Sequence, residues 1–324
     1  MLKQLLTVTV SVILLAVLVV PICESYGDPS PNELDVLVIS GQSNGAYMET
    51  TTVHGVTNVI CDPDEVNGNV PLPHKNAYYY GTALVPILYG AYYETATYDT
   101  TLESYAIHPM TSEGVWTIGG EEAAIASALT ARSYHDVLII NVCAPGAPIE
   151  FYEDGATGAT YSEKVIEDAL SKLDSKYRVN KLGFVWIQGE SNKTTAIADY
   201  ISSFESVKGF YEDLGFDTCY MVQTKPGNSG NAADAQLQIC NTNPDCILAS
   251  TAPSTFTVSN GLLVSDDIHY SQLGRNIVGR DIGMAIPVYS SDHPEKGLIM
   301  LIPLLLIVAI IVSFAAGIFI RRAD

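Results

Sequence analysis

The chain has 324 residues, with 16 Lys or Arg against 36 Asp or Glu, and its net charge is −20. Such a charge repels nucleic acid phosphates and anionic lipid surfaces, which excludes nucleic acid as a partner. Once the hydrophobic ends are set aside, the length suits one large domain rather than two small ones.

The first 25 residues have the order of a secretory signal. Lys3 precedes a long apolar run, and Pro21 and the small residues Cys23 and Ser25 follow it. The apolar run is slightly long, and the residues before a cut after Ser25 are not the usual small pair, so an uncleaved N-terminal anchor is the alternative. We therefore predict that residues 1–25 are a signal peptide or an N-terminal anchor.

Four short apolar runs rich in β-branched residues predict buried strands. These runs cover residues 34–40, 136–142, 182–188 and 217–223. Helical patterns cover residues 121–132, 162–177, 194–214, 232–240 and 271–284. Strands that alternate with helices predict an α/β fold with a mostly parallel sheet and helices on both faces. In such folds the active site lies beyond the carboxyl ends of the strands.

Residues 50–118 interrupt this alternation as an insertion rich in tyrosine. The segment has few helix signals but contains eight tyrosines and Trp116. Loops of this length are usually functional or disordered, and the aromatic content disfavours disorder. The sequence leaves two interpretations open: the rings stack on sugar faces, or they pack the insertion against the domain.

The motif GQSNG, residues 41–45, follows the first predicted strand. A serine on a tight turn at the end of a strand is exposed, and a helix starting there would direct its N–H groups at an oxyanion. Ser43 is therefore a candidate nucleophile, although polar turns after strands commonly carry no chemistry.

Asp266 lies three residues before His269, and no other histidine of the chain has an acid at this offset. A carboxylate in this position can accept the ring Nδ1–H and leave Nε2 free to act as a base. Asp267 is the competing acid. For the other five histidines a surface or capping role is the better interpretation.

Two further motifs offer hydrogen-bond donors. Gln188, in the segment WIQGES that follows a predicted strand, has an amide of the kind that an oxyanion hole uses. Gly119 and Gly120 open a predicted helix and expose backbone N–H groups. The plainer alternatives are a loop-closing hydrogen bond for Gln188 and an ordinary helix start for the two glycines.

Together, GQSN, GGEE, QGES and DDIH resemble, in this order, the sequence blocks of the SGNH hydrolases. The resemblance is to the branch of sialate O-acetylesterase-like carbohydrate esterases, and it spans roughly residues 34–285. It implies a three-layer, flavodoxin-like α/β fold with a mostly parallel sheet and helices on both faces. It also implies that Ser43 is the nucleophile, His269 the base and Asp266 its orienting acid.

The same resemblance implies an oxyanion hole made by the N–H groups of Ser43 and Gly119 and by the side chain of Gln188. Gly120 and Gly146 are second choices for the glycine donor. Three side chains are expected to contact the substrate: Gln42, Asn44 and Glu190. The chain departs from the family pattern in having Gly45 for Met, Gly120 for Pro and Tyr270 for Pro. These departures affect the shape of the pocket rather than the reacting groups.

Residues 298–320 are uncharged and long enough to span a bilayer. Arg321 and Arg322 follow, and positive residues favour the cytoplasmic side. We therefore predict a cell-surface protein with an extracellular esterase domain at residues 26–293, a transmembrane helix at 298–320 and a cytoplasmic tail at 321–324.

The predicted function is that of a serine esterase, a carboxylic ester hydrolase that removes O-acetyl groups from carbohydrate through an acyl-enzyme. No cofactor is expected and no metal either, since no Cys or His spacing resembles a zinc site. One alternative is a catalytically inactive glycan-binding or adhesin domain at the cell surface. Another is a lipase of the α/β-hydrolase type, because GQSNG fits G-x-S-x-G. Ser43 follows the first strand, and its acid and base share one loop, which disfavours the lipase.

Overall fold

The centre of the fold is β1 (Glu33–Gly41), an apolar run in which every residue is buried. The computed structural model describes residues 33–53, 55–83 and 102–288. β1 pairs in parallel with β8 (Asp136–Asn141) on one side and with β9 (Arg178–Ile187) on the other. The loops after these three strands therefore meet at one edge of the sheet.

Eleven strands and seven α-helices make up the described part of the chain. Besides β1, β8 and β9, the strands are β2 (Thr50–Val53), β3 (Val56–Val59), β4 (Ala77–Gly81), β5 (Ala106–Pro109), β6 (Thr111–Ser112), β7 (Val115–Trp116), β10 (Cys219–Val222) and β11 (Cys246–Ser250). The helices are α1 (Pro63–Asn69), α2 (Glu122–Thr130), α3 (Thr157–Ser171), α4 (Ile197–Asp213), α5 (Pro226–Ser229), α6 (Asn231–Thr242) and α7 (Gln272–Ala285).

The main sheet has seven strands in the order β11-β10-β9-β1-β8-β4-β5. Every neighbouring pair is parallel except the antiparallel pair of β4 and β5 at one edge. The predicted mostly parallel α/β fold is thus confirmed. From β1 the chain builds the sheet in both directions, with β8, β4 and β5 on one side and β9, β10 and β11 on the other. In doubly wound sheets, ligands bind outside the strand ends at such a switch point.

Two hydrophobic cores lie on opposite faces of the sheet, because successive side chains of a strand point to opposite sides. Val36 and Val38 enter one core, which α3, α4 and α6 cover. Leu37 and Ile39 enter the other core, which α1, α2 and α7 cover. Helices therefore pack on both faces, as the alternation of strands and helices predicts.

The predicted helix at residues 162–177 begins and ends earlier, at Thr157 and Ser171. Its C-terminal limit has a local cause, because the carboxylate of Asp174 accepts the backbone N–H of Lys176 at 3.0 Å and forms a turn. Polar side chains of this kind compete with the helical hydrogen bonds of the backbone.

The tyrosine-rich insertion contributes strands to the main sheet, which its sequence did not predict. β4 and β5 lie within residues 50–118, and Tyr79 and Tyr80 of β4 are buried. For these two rings, packing against the domain is therefore the correct interpretation. Residues 84–101, which hold most of the other tyrosines, lie outside the described residues.

The predicted terminal segments, residues 1–25, 298–320 and 321–324, also lie outside the described residues. Within the ranges that are described, none of the helices combines the length and the apolar composition that a membrane span requires. The anchor and the cell-surface location therefore stay predictions.

Candidate active site

Ser43 lies on a tight turn directly after β1. The backbone carbonyl of Gln42 accepts the N–H groups of Gly45 and Ala46 at 2.8 and 3.0 Å, so the segment forms a turn where the sequence suggested a helix start. Gly41 has a φ of +134°, and a Cβ there would lie 2.0 Å from the carbonyl oxygen of Ile187. Only glycine allows this close approach between β1 and β9.

Ser43, His269 and Asp266 form a line of hydrogen bonds. Ser43 Oγ lies 3.0 Å from Nε2 of His269, and Nδ1 of the same ring lies 2.6 Å from Oδ2 of Asp266. A carboxylate can only accept, so Nδ1 carries the ring hydrogen and Nε2 is left to accept the serine hydroxyl hydrogen. The structure thus brings together the three residues that the sequence predicted as a triad.

The second oxygen of Asp266 accepts the backbone N–H groups of Ile268 and His269, each at 2.9 Å. Burial alone would raise the pKa of Asp266. Hydrogen bonds from the His269 ring and from these two N–H groups outweigh it and hold the pKa below its ordinary value. Asp266 therefore stays ionised while it orients the imidazole.

Asp267, the competing acid, points away from the ring. Its carboxylate forms an ion pair with Lys225 at 2.9 Å, and its carbonyl accepts the amide of Asn228 at 2.7 Å. Its φ of 61° lies in the left-handed region, which Asp adopts more readily than most residues. This conformation turns the chain so that Asp266 alone faces His269.

Asn44 connects three loops, and both hydrogens of its amide are used in these contacts. It is 1% exposed, and its amide nitrogen donates to Glu190 Oε1 at 2.8 Å and to the Ile268 carbonyl at 3.2 Å. Its oxygen accepts the Tyr270 N–H at 2.9 Å. The side chain thus holds the backbone on both sides of His269, and the predicted substrate contact of Asn44 stays a prediction.

Gln42 and Glu190 also serve the loops around the serine. Gln42 Oε1 accepts the N–H groups of Gly189 and Ser191 at 3.2 and 3.1 Å. Its amide nitrogen has no acceptor among the described residues and remains a free donor. Glu190 Oε2 is buried and has no hydrogen-bond partner among the described residues. Burial raises the pKa of this carboxyl.

Gln188 is not an oxyanion donor in this structure, contrary to the prediction. It is fully buried, and its amide nitrogen donates to the Ala147 carbonyl at 3.3 Å and to Asn192 Oδ1 at 2.6 Å. Its oxygen accepts the hydroxyl of Tyr200 at 2.9 Å. Both amide hydrogens are therefore used in closing loops.

The glycines of the GGEE segment are likewise engaged, so the predictions of Gly119 and Gly120 as donors are also wrong. Gly120 N–H donates to Gln272 Oε1 at 2.8 Å, and a backbone hydrogen bond joins Gly119 to the Tyr47 hydroxyl. The N–H groups of Ser43 and Gly146, both near the strand ends, are among those that lack an acceptor in the described residues. Gly146, the second choice, follows β8, the direct neighbour of β1.

Arg275, which the sequence did not predict as a functional residue, supports the serine turn from inside the protein. This side chain is fully buried on α7, where it donates to the Ser43 carbonyl at 2.9 Å and pairs with Glu121 at 2.6 Å. Beside it, Asn141 links Glu122 to the Gly45 carbonyl, with both distances 2.8 Å. Arg275 lies in the first turn of α7, where a cation opposes the helix dipole. This unfavourable position is the signal in the sequence that could have pointed to a special role.

Replacement of Arg275 by Met is expected to lower the free energy of unfolding by about 3–5 kcal/mol, since it leaves the buried Glu121 carboxylate without its cation. Urea unfolding of the full-length chain measures the loss. Adding Glu121→Gln to this variant should recover much of it, because no unpaired charge remains. Equal losses in the single and double variants would show that packing, rather than charge, stabilises this site.

Burial raises the pKa of Glu122 above its ordinary value of 4.5. The folded protein therefore favours the protonated carboxyl. The stability that this preference contributes is complete below pH 4.5 and is lost as pH rises toward the pKa of Glu122 in the folded state. We expect the free energy of unfolding to fall from pH 4.5 upward and Glu122→Gln to reduce the fall, as urea unfolding at a series of pH values would measure. Glu163→Gln, on the exposed face of α3, is the control. Identical pH dependence in all three proteins would contradict the expectation.

Three solved structures are similar to this chain. A protein from Arabidopsis thaliana aligns with a TM-score of 0.52 at 16% identity, over 78% of this chain and 97% of its own. NanS aligns with a TM-score of 0.46 at 16% identity, over 79% and 97% of the two chains. A carbohydrate acetylesterase from Xanthomonas citri aligns with a TM-score of 0.44 at 17% identity, over 78% and 55%. No family model and no curated protein matches the chain. The Arabidopsis alignment shows a shared fold.

Proposed function

We propose that the chain is a serine ester hydrolase. The observation that carries the proposal is the hydrogen-bonded line from Ser43 through His269 to Asp266, with distances of 3.0 and 2.6 Å. A serine hydroxyl is a weak nucleophile until a base within hydrogen-bond reach takes its proton. Here the base is in place, and a carboxylate with a lowered pKa holds it in the required tautomer.

In the first half of the reaction, His269 Nε2 takes the hydroxyl proton of Ser43 while Oγ attacks the ester carbonyl carbon. The carbonyl π electrons move to oxygen and form a tetrahedral oxyanion. The intermediate then collapses, the bond to the alcohol oxygen breaks, and His269 returns the proton to the leaving alcohol. Asp266 stabilises the imidazolium that exists between these two proton transfers.

In the second half, a water molecule gives a proton to His269 and attacks the acyl-enzyme carbonyl. Collapse of this intermediate breaks the bond to Ser43 Oγ, which recovers its proton from His269, and the carboxylic acid leaves. The free N–H groups of Ser43 and Gly146 are the donors proposed for the oxyanion in both halves. The free amide nitrogen of Gln42 is proposed to contact the substrate.

The proposed substrate is an O-acetylated carbohydrate, and the proposed location is the cell surface. The four sequence blocks that resemble carbohydrate esterases support the substrate. The uncharged segment 298–320 with Arg321 and Arg322 after it supports a C-terminal anchor.

The test combines turnover with labelling of the full-length chain. We expect release of para-nitrophenol from its acetate ester and covalent labelling of Ser43 by a fluorophosphonate, located by peptide mass spectrometry. Hydrolysis without a label on Ser43 would move the reaction to another site. No hydrolysis together with no label would favour the inactive glycan-binding domain.

A further inference from the structure

We infer that this site selects esters without a negative charge near the reacting carbonyl and discriminates against anionic ones such as free sialic acids. The inference rests on the proposed function, and it names the substrate class of the same site. It follows from the distribution of charged side chains over the loops at the carboxyl edge of the sheet.

These loops cover residues 42–49, 142–156, 188–196, 223–230 and 251–271. They hold seven acidic residues and two lysines: Glu49, Glu150, Glu153, Asp154, Glu190, Asp266, Asp267, Lys193 and Lys225. The edge that carries Ser43 is therefore strongly acidic.

Two of these acids lie next to the reacting groups. Asp266 touches the His269 ring at 2.6 Å, and Glu190 is joined through Asn44 to the backbone beside that ring. Neither carboxylate has a Lys or Arg partner among the described residues. Asp266 keeps its charge throughout the reaction, because its hydrogen bonds favour the ionised form.

Two of the three cations close to the site are already paired with carboxylates. Arg275 is fully buried against Glu121, so a substrate cannot reach it. Lys225 is paired with Asp267, and its side chain is only 17% exposed. Lys193 donates to the Gly227 carbonyl at 3.1 Å. Neither Arg275 nor Lys225 is thus free to receive a substrate carboxylate, and Lys193 is the one cation of these loops without a carboxylate partner in the described chain.

The inference is tested with two acetyl esters that differ by one charge, para-acetoxybenzoate and its methyl ester. Acetate release by the full-length chain is measured for both, and each kcat/KM is divided by the rate of hydroxide-catalysed hydrolysis. At low ionic strength we expect the uncharged ester to react about tenfold better, since like charges repel across the site. The difference should narrow as salt is added. An anionic ester that reacts equally well or better would overturn the inference.

A matched pair of variants connects the preference to the loop charges. Asp267→Asn removes one charge and leaves Lys225 without its partner, and asparagine tolerates the left-handed φ of 61° at this position. We expect it to raise the relative kcat/KM of the anionic ester about fivefold at low salt. Asp245→Asn is the control, an equally exposed acid beside Lys208 that precedes β11 and lies at the opposite edge of the sheet.

The possible outcomes distinguish a failure of the charge preference from a failure of the proposed esterase function. Hydrolysis of both esters without a charge preference, or equal ratios in Asp267→Asn and Asp245→Asn, would overturn the inference and leave the esterase proposal intact. Failure to hydrolyse either ester, with para-nitrophenyl acetate also untouched, would overturn the proposed function and this inference with it.

Discussion

Replacement of Ser43 by alanine is expected to lower kcat for para-nitrophenyl acetate by about 10⁴-fold or more. The alanine removes the only atom that hydrogen-bonds to Nε2 of His269 among the described residues, and no acyl-enzyme can then form at this position. The free energy of unfolding should change little, because Ser43 Oγ has a single partner. Initial rates, together with urea unfolding of the same preparation, measure both effects.

Nucleophile and base act as a unit, so their losses should not add. The double variant Ser43→Ala/His269→Ala is expected to be no slower than Ser43→Ala alone. Ser259→Ala, an exposed serine in the loop before α7, is the matched control and should keep full activity. A Ser43→Ala protein that retains more than a tenth of the activity would place the nucleophile elsewhere.

Replacement of Asp266 by asparagine is expected to lower kcat by about 10³–10⁴-fold. The amide nitrogen of asparagine would donate to Nδ1 of His269, so the ring hydrogen would move to Nε2. Nε2 would then face Ser43 Oγ as a donor and could no longer take its proton. Steady-state kinetics on an uncharged acetyl ester measure the loss.

Asp267→Asn is the matched comparison, because the two acids are adjacent and only one of them touches the ring. It should lower kcat for the uncharged ester by less than tenfold, since its partners are Lys225 and Asn228. A larger loss in Asp267→Asn than in Asp266→Asn would show that Asp267 orients the imidazole, and would overturn the proposed triad.

The Asp266–His269 pair could be proposed from the sequence because its geometry is local, since an acid three residues before a histidine can reach Nδ1 within one loop. The contact between His269 and Ser43 joins residues that are 226 positions apart, and the resemblance to a family, not local geometry, suggested it. The strands around β1 were predictable from the local sequence, since fully buried parallel strands are continuous apolar runs. β11, with the sequence CILAS, is partly exposed, and its pattern is too weak to predict a strand.

The oxyanion donors could not be predicted in the same way. β1 has two neighbours, β8, whose loop carries Gly146, and β9, whose loop carries Gly189, and the local sequence does not say which of these loops lies next to Ser43. Gly119 instead precedes α2, a helix that packs on one face of the sheet. Whether the amide of Gln188 is free depends on Ala147 and Asn192, two groups that only the folded chain brings to it.

The order of the chain also differs from the order in space. β1 is the first strand in sequence, which counted against a lipase of the α/β-hydrolase type, yet it is the fourth of seven strands across the sheet. The place of β1 therefore does not disfavour a lipase. The shared loop of acid and base still does, because Asp266 and His269 contact each other there.

Asn44 sets a limit on how this site can diversify. Its one amide bonds to the loop after β9 and to both sides of His269, so an added or deleted residue in any of these loops would shift the base relative to the serine. The loops that hold the reacting groups therefore have fixed lengths. A change of loop length that alters ester specificity and keeps the chemistry must therefore come from segments that Asn44 does not hold, and the insertion of residues 50–118 is the longest of them.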